Sequence, residues 1–142
     1  MSVFVAYVQS PEGRRAVEAG AEEARVREAP LHVATVLTHD VGESPTRARG
    51  DMESAKALST HLETLAGRFR SQGLEVSTEL LHGQLGEEAK QLLDAMQRAG
   101  ATLAVVGVRR RSPVGKLVLG SVSRDLLLEA AVPVLAVKAD PA

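Results

Sequence analysis

The chain has 142 residues, 44% of them hydrophobic and 25% charged, which suits one folded domain spanning residues 1–142 with a single core. Seventeen Lys and Arg against eighteen Asp and Glu leave a formal charge of -1, so there is no global basic field for a nucleic acid or an anionic membrane. Aromatic residues make up only 2%, too few for a base-stacking platform, and the lack of cysteine excludes disulfides, thiolate metal sites and Cys nucleophiles.

Residues 3–8, VFVAYV, form a short apolar run closed by Gln9, Ser10 and Pro11. Such a run predicts a first strand buried on both faces. Over residues 12–29 the pattern turns helical, with Ala16, Gly20 and Ala24 recurring every fourth position and Pro30 as the stop. Residues 31–38, LHVATVLT, read as the second strand. The polar stretch 39–51, without apolar period, reads as a loop long enough to act as a flap. Met52, Ala55, Leu58, Leu62, Leu65 and Phe69 then step by three or four along a second helix that Gly73 closes.

Residues 74–81 alternate as LEVSTELL, the pattern of a strand nearer the sheet edge. A turn at residues 82–86 leads into a third helix with Glu87 and Glu88 in its first turn, a stripe of Ala89, Leu92, Leu93 and Met96, and a stop at Gly100. The remainder reads as a fourth strand over 102–108, a basic loop over 109–119, a fourth helix from Gly120 and Ser121 to about Ala131, and a fifth strand over 133–138. The β-α alternation predicts an α/β fold with a parallel sheet and helices on both faces. Ligands of such sheets sit beyond the carboxyl ends of the strands. Here those ends are residues 8–10, 37–39 and 107–110.

Chemistry concentrates in the last forty or so residues. Gly107 ends an apolar strand, and Gly120, Ser121, Val122 and Ser123 open the helix that follows. The unpaired N–H groups of a helix start, with hydroxyls beside them, suit an anion. The dipole contributes only about 0.3–1 kcal/mol, so hydrogen bonds must supply most of the affinity. Other chemistries lack their signatures. Lys116 is followed by Leu117 rather than Ser or Thr, so no P-loop is present, and neither HExxH nor a Gly-x-Ser-x-Gly elbow occurs. No catalytic or metal-ligating residue is assigned. The flanking aromatics of a flavodoxin-like redox site are missing as well.

The segment VVGVRRRSPVGKLVLGSVSRDLLLEAAVPVLAVK resembles the C-terminal signature of the universal stress proteins. VAYVQSPEGRRA and LLHGQLGEEAKQLLDAM extend the likeness along the chain. The resemblance implies a Rossmann-like five-stranded parallel sheet of order 3-2-1-4-5 and a site for ATP at the ends of strands 1 and 4, with Mg²⁺ accompanying the nucleotide. Ala6, Val8 and Val36 would line the adenine, and Gly107, Arg110, Gly120, Ser121, Val122 and Ser123 the phosphates. It further implies a cytoplasmic homodimer joined through residues 133–138, with at most slow ATP hydrolysis. Two positions depart from the ATP-binding pattern: Val8 stands where those members carry Asp, and Arg110 replaces the second glycine. Arg110 either blocks close backbone approach or puts a guanidinium on a phosphate. The alternative is a stress-family interaction protein whose nucleotide site is degenerate.

Overall fold

The computed structural model describes residues 1–39, 45–110, 117–118 and 120–139. The elements are β1 (Ser2–Ala6), α1 (Pro11–Arg27), β2 (Leu31–His39), α2 (Pro45–Arg70), β3 (Val76–Gln84), α3 (Glu88–Arg98), β4 (Ala101–Arg110), β5 (Leu117–Val118), α4 (Ser121–Glu129) and β6 (Val134–Ala139). Five strands run parallel in the order β3-β2-β1-β4-β6, the expected topology with β6 as its fifth strand.

The two-residue period of β1 divides the core. Val3, Val5 and Tyr7 face one way, against Ala16, Val17 and Ala21 of α1 and Leu62, Ala66 and Phe69 of α2. Phe4 faces the other way, with Ala34, Ala104 and Val106, against Leu92, Ala95 and Met96 of α3 and Leu126 of α4. All three aromatic residues, Phe4, Tyr7 and Phe69, are buried. Small residues bring α1 down onto the sheet: a Cβ on Gly20 would stand 2.5 Å from Val5 Cγ2 and 3.3 Å from Leu31 Cδ1.

Several boundaries differ from the sequence reading. β1 ends at Ala6, and Val8 is 66% exposed. Helix α2 begins at Pro45, inside the stretch read as a loop, while 40–44 lie outside the described residues. Proline is preorganised for a helix's first position, where its missing N–H costs nothing, and the signal escapes a search for apolar period. Gly73 does end α2, in a left-handed conformation at φ 90°. β3 continues through Gln84, three residues past its alternating stretch.

β4 runs on through Arg110, so Arg109 and Arg110 are strand residues and not loop. Their partner is β5, an unforeseen two-residue strand antiparallel to β4, with Arg109 opposite Val118 and Arg110 opposite Leu117. Arg109 is also paired with Ala139 of β6. A strand residue has one neighbour on each side, so β5 lies on the β1 side of β4, beyond the end of β1. Residues 111–116 of the expected basic loop lie outside the described part.

The amino ends of β2 and β3 are tied by side chains. His32 Nε2 lies 2.9 Å from Glu79 Oε1, and Arg98 of α3 donates to Glu79 Oε2 at 2.9 Å. Burial alone would raise the Glu79 carboxyl; the bonds from His32 and Arg98 outweigh it and hold the group below its ordinary value of 4.5. A lowered carboxyl contributes stability that is complete above the unfolded value and is lost as pH falls through the folded one. Thermal melts should therefore show the wild type losing stability below about pH 4.5 more steeply than Glu79→Gln, which has no proton to take up. Parallel acid limbs would contradict this.

Candidate functional site

The turn after β1 is built by Ser10 and Gly13. Ser10 Oγ accepts from the Gly13 N–H at 3.0 Å, capping α1, and donates to the Val8 carbonyl at 3.2 Å. Gly13 packs so tightly on Val8 that a Cβ there would collide with the Val8 carbonyl oxygen. Tyr7 anchors the strand end from beneath: its hydroxyl shares a 2.6 Å hydrogen bond with His61 Nε2 of α2, and the rings stack at 5.7 Å. Burial pushes the Tyr7 phenol up, with Arg14 pulling weakly the other way, so the hydroxyl keeps its proton at neutral pH.

Across from this turn stands β4. A Cβ on Gly107 would strike the Glu12 carbonyl oxygen and come within 2.7 Å of its carbon and 3.1 Å of its Cβ. Glycine at 107 is thus demanded by the first turn of α1, which lies directly against the strand. The sequence reading gave that glycine to an approaching phosphate; the contact with Glu12 is the physical reason the structure supplies.

Gly120 is different. It is the N-cap of α4 with φ -62° and ψ 159°, a conformation open to any residue, and a Cβ there would meet nothing within 4 Å among the described residues. It offers no side chain to the helix, and no side-chain cap bonds the N–H groups behind it. The Arg124 N–H returns to the Gly120 carbonyl at 3.0 Å, leaving the N–H groups of Ser121, Val122 and Ser123 without a helical partner.

These features meet in one cleft of about 360 Å³, lined by Ala6, Val8, Glu12, Gly13, Gly107, Arg109 and residues 120–123. Of the residues singled out from sequence, Ala6, Val8, Gly107, Gly120, Ser121, Val122 and Ser123 are brought together there. Val36 stands on β2 and packs on the α3–α4 side of the core, outside the lining. Arg110 ends β4 with its backbone opposite Leu117, and its side chain lies outside the described residues. The sequence reading missed Glu12, Gly13 and Arg109. A glycine two residues after Pro11 is the one signal that pointed to a tight turn there.

Residues 1–138 match the model of the universal stress protein family. The chain belongs to that family. It is 39% identical over 138 residues to a universal stress protein of Mycolicibacterium smegmatis, covering 96% of each chain. Among solved structures, it is similar to a universal stress protein from Archaeoglobus fulgidus at 30% identity and TM-score 0.70, covering 97% of this chain and 98% of that one. It is also similar to the universal stress protein from Archaeoglobus fulgidus in complex with dAMP, at 27% identity and TM-score 0.69, over the same shares of each chain.

Within this universal stress protein fold the two cleft glycines make opposite demands. Gly107→Ala must push α1 off the sheet and should cost about 1–3 kcal/mol in urea denaturation, the range for overpacking. Gly120→Ala, whose Cβ would meet nothing within 4 Å among the described residues, should cost less than about 1 kcal/mol, the difference between glycine and alanine at an N-cap. The reverse order would refute the packing described for Gly107.

Proposed function

We propose that the chain binds an adenine nucleotide, ATP, in the cleft at the ends of β1 and β4, and that it works through its bound state rather than through turnover. The observation that carries this reading is the start of α4, which among the described residues has no side-chain cap and nothing within 4 Å of a Cβ on Gly120, and whose residues 120–123, with two serines, line the cleft. That arrangement fits a phosphate. The dAMP complex of the 27% identical relative supports the class of ligand. Ala6 and Val8 supply apolar walls for a base, and Arg109 a cation at the rim. Mg²⁺ would enter as the counter-ion of the triphosphate. Among the described residues, neither Ser121 nor Ser123 is hydrogen-bonded to a base, so nucleophilic turnover has no evident machinery.

On this reading the molecule acts as a cytoplasmic homodimer joined through residues 133–138. β6 pairs only with β4 among the described residues, which leaves its other edge open, with Val134, Leu135 and Val137 half-buried. A two-fold copy would satisfy that edge.

A second reading, an interaction protein with a degenerate nucleotide site, is favoured by one observation. Arg110 stands in place of glycine, and its backbone is paired with β5 instead of being free for a phosphate. Calorimetric titration with ATP, with and without Mg²⁺, separates the two. Nucleotide binding predicts saturable heat in the wild type and a neutral or harmful effect of Arg110→Gly. No heat up to millimolar ATP, with binding appearing in Arg110→Gly, would establish the degenerate site instead.

A further inference from the structure

A separate cleft of about 440 Å³ opens at the opposite, amino-terminal end of the sheet, and His32, Ser77, Glu79 and Arg98 line it. The register sets His32 opposite Ser77, so their side chains leave neighbouring strands on the same face, and Glu79 follows two residues on. His32 Nδ1 is 2.6 Å from Ser77 Oγ, and His32 Nε2 is 2.9 Å from Glu79 Oε1. Arg98 holds the other Glu79 oxygen at 2.9 Å.

The partners fix the proton. An ionised carboxylate only accepts, so Nε2 carries hydrogen; in the neutral ring Nδ1 is then a lone pair, and Ser77 donates to it. The order is hydroxyl, imidazole, carboxylate, the arrangement that activates a serine, with the two ring nitrogens exchanged. Exposure is graded to match: Ser77 is exposed, while the His32 and Glu79 side chains are only 15% and 24% exposed.

One backbone donor beside Ser77 faces away from the neighbouring strand. The Leu31 N–H bonds the Glu75 carbonyl, whereas the Val76 carbonyl is taken from the far side by Arg70. Backbone direction alternates along a strand, so the Thr78 N–H, next to Ser77, points away from β2 toward the edge of the sheet. Because Ser77 lies within a strand, no Gly-x-Ser-x-Gly turn announces it in the sequence.

We propose that Ser77 is a nucleophile for acyl transfer from small carboxylic esters, with His32 as its base and Glu79 and Arg98 as positioning residues. Ser77 Oγ bonds to the ester carbonyl carbon while its proton passes to His32 Nδ1. The tetrahedral adduct expels the alcohol, which takes that proton. Water, deprotonated by the same nitrogen, then cleaves the acyl-serine to a carboxylic acid and returns the proton to Ser77. Nothing in these steps involves the cleft at the other end of the sheet.

The full chain is treated with a fluorophosphonate, which phosphonylates activated serines, and mapped by mass spectrometry; hydrolysis of p-nitrophenyl acetate is followed in parallel. The expected result is a single adduct on Ser77, formed faster as pH rises, because only an imidazole with a free lone pair can take the serine's proton. Ser77→Ala, folded by circular dichroism, should lose the adduct. His32→Gln should label and hydrolyse about 100-fold more slowly, the scale of a lost general base, with a flat pH profile. No adduct in the wild type, an adduct elsewhere, or wild-type rates in His32→Gln would overturn the proposal and leave the array as a tie between strands and helix.

Discussion

The closeness of α1 to the sheet is the constraint on which the molecule's carboxyl end depends. At Gly13, Gly20 and Gly107 a single added carbon would collide with the Val8 carbonyl, the Val5 side chain or the Glu12 backbone. Close-packed interiors have few voids and so transmit small displacements. The helix start, the end of β1 and the end of β4 are therefore positioned as one unit. The cleft is the space left between that unit and the start of α4.

Two helices begin at this cleft, and they treat their free N–H groups differently. α1 needs less from outside: Pro11 has no N–H to satisfy, Ser10 accepts from Gly13 through its side chain and from Arg14 through its carbonyl, and of the first turn Glu12 alone has no such cap. α4 has a glycine cap, and among the described residues no side chain caps its first three N–H groups, whose residues line the cleft. Such groups cost little while water reaches them and gain a charge-assisted bond when an anion replaces that water. Glu12, on the α1 side, makes the cleft asymmetric in charge, cationic and donor-rich toward Arg109 and α4, acidic toward α1.

Much of the architecture was legible in the sequence, because apolar runs of strand length alternating with helical stripes leave few parallel topologies. Part of the cleft's lining was legible too, since Gly120 to Ser123 form a contiguous motif, whereas Glu12, Gly13 and Arg109 were not found and Val36 lies elsewhere. The reasons behind single residues were harder to see. Gly107 looks the same in sequence whether a phosphate or a helix needs the space, and only the Glu12 contact distinguishes them. The first turns of α2 lack an apolar stripe, so periodicity could not find them. β5 has two residues and is defined by its pairing with β4, a non-local fact. His32, Ser77, Glu79 and Arg98 come from three elements, and their assembly depends on strand register.

The central claim is that the open start of α4 receives the phosphate of a nucleotide. Two-dimensional NMR of ¹⁵N-labelled protein titrated with ATP tests it most directly. The account predicts that the amide resonances of Ser121, Val122 and Ser123 move first and furthest, with those of Ala6, Val8 and Gly13 following. An unchanged α4 start, with shifts absent or confined to the amino end of the sheet, would contradict it.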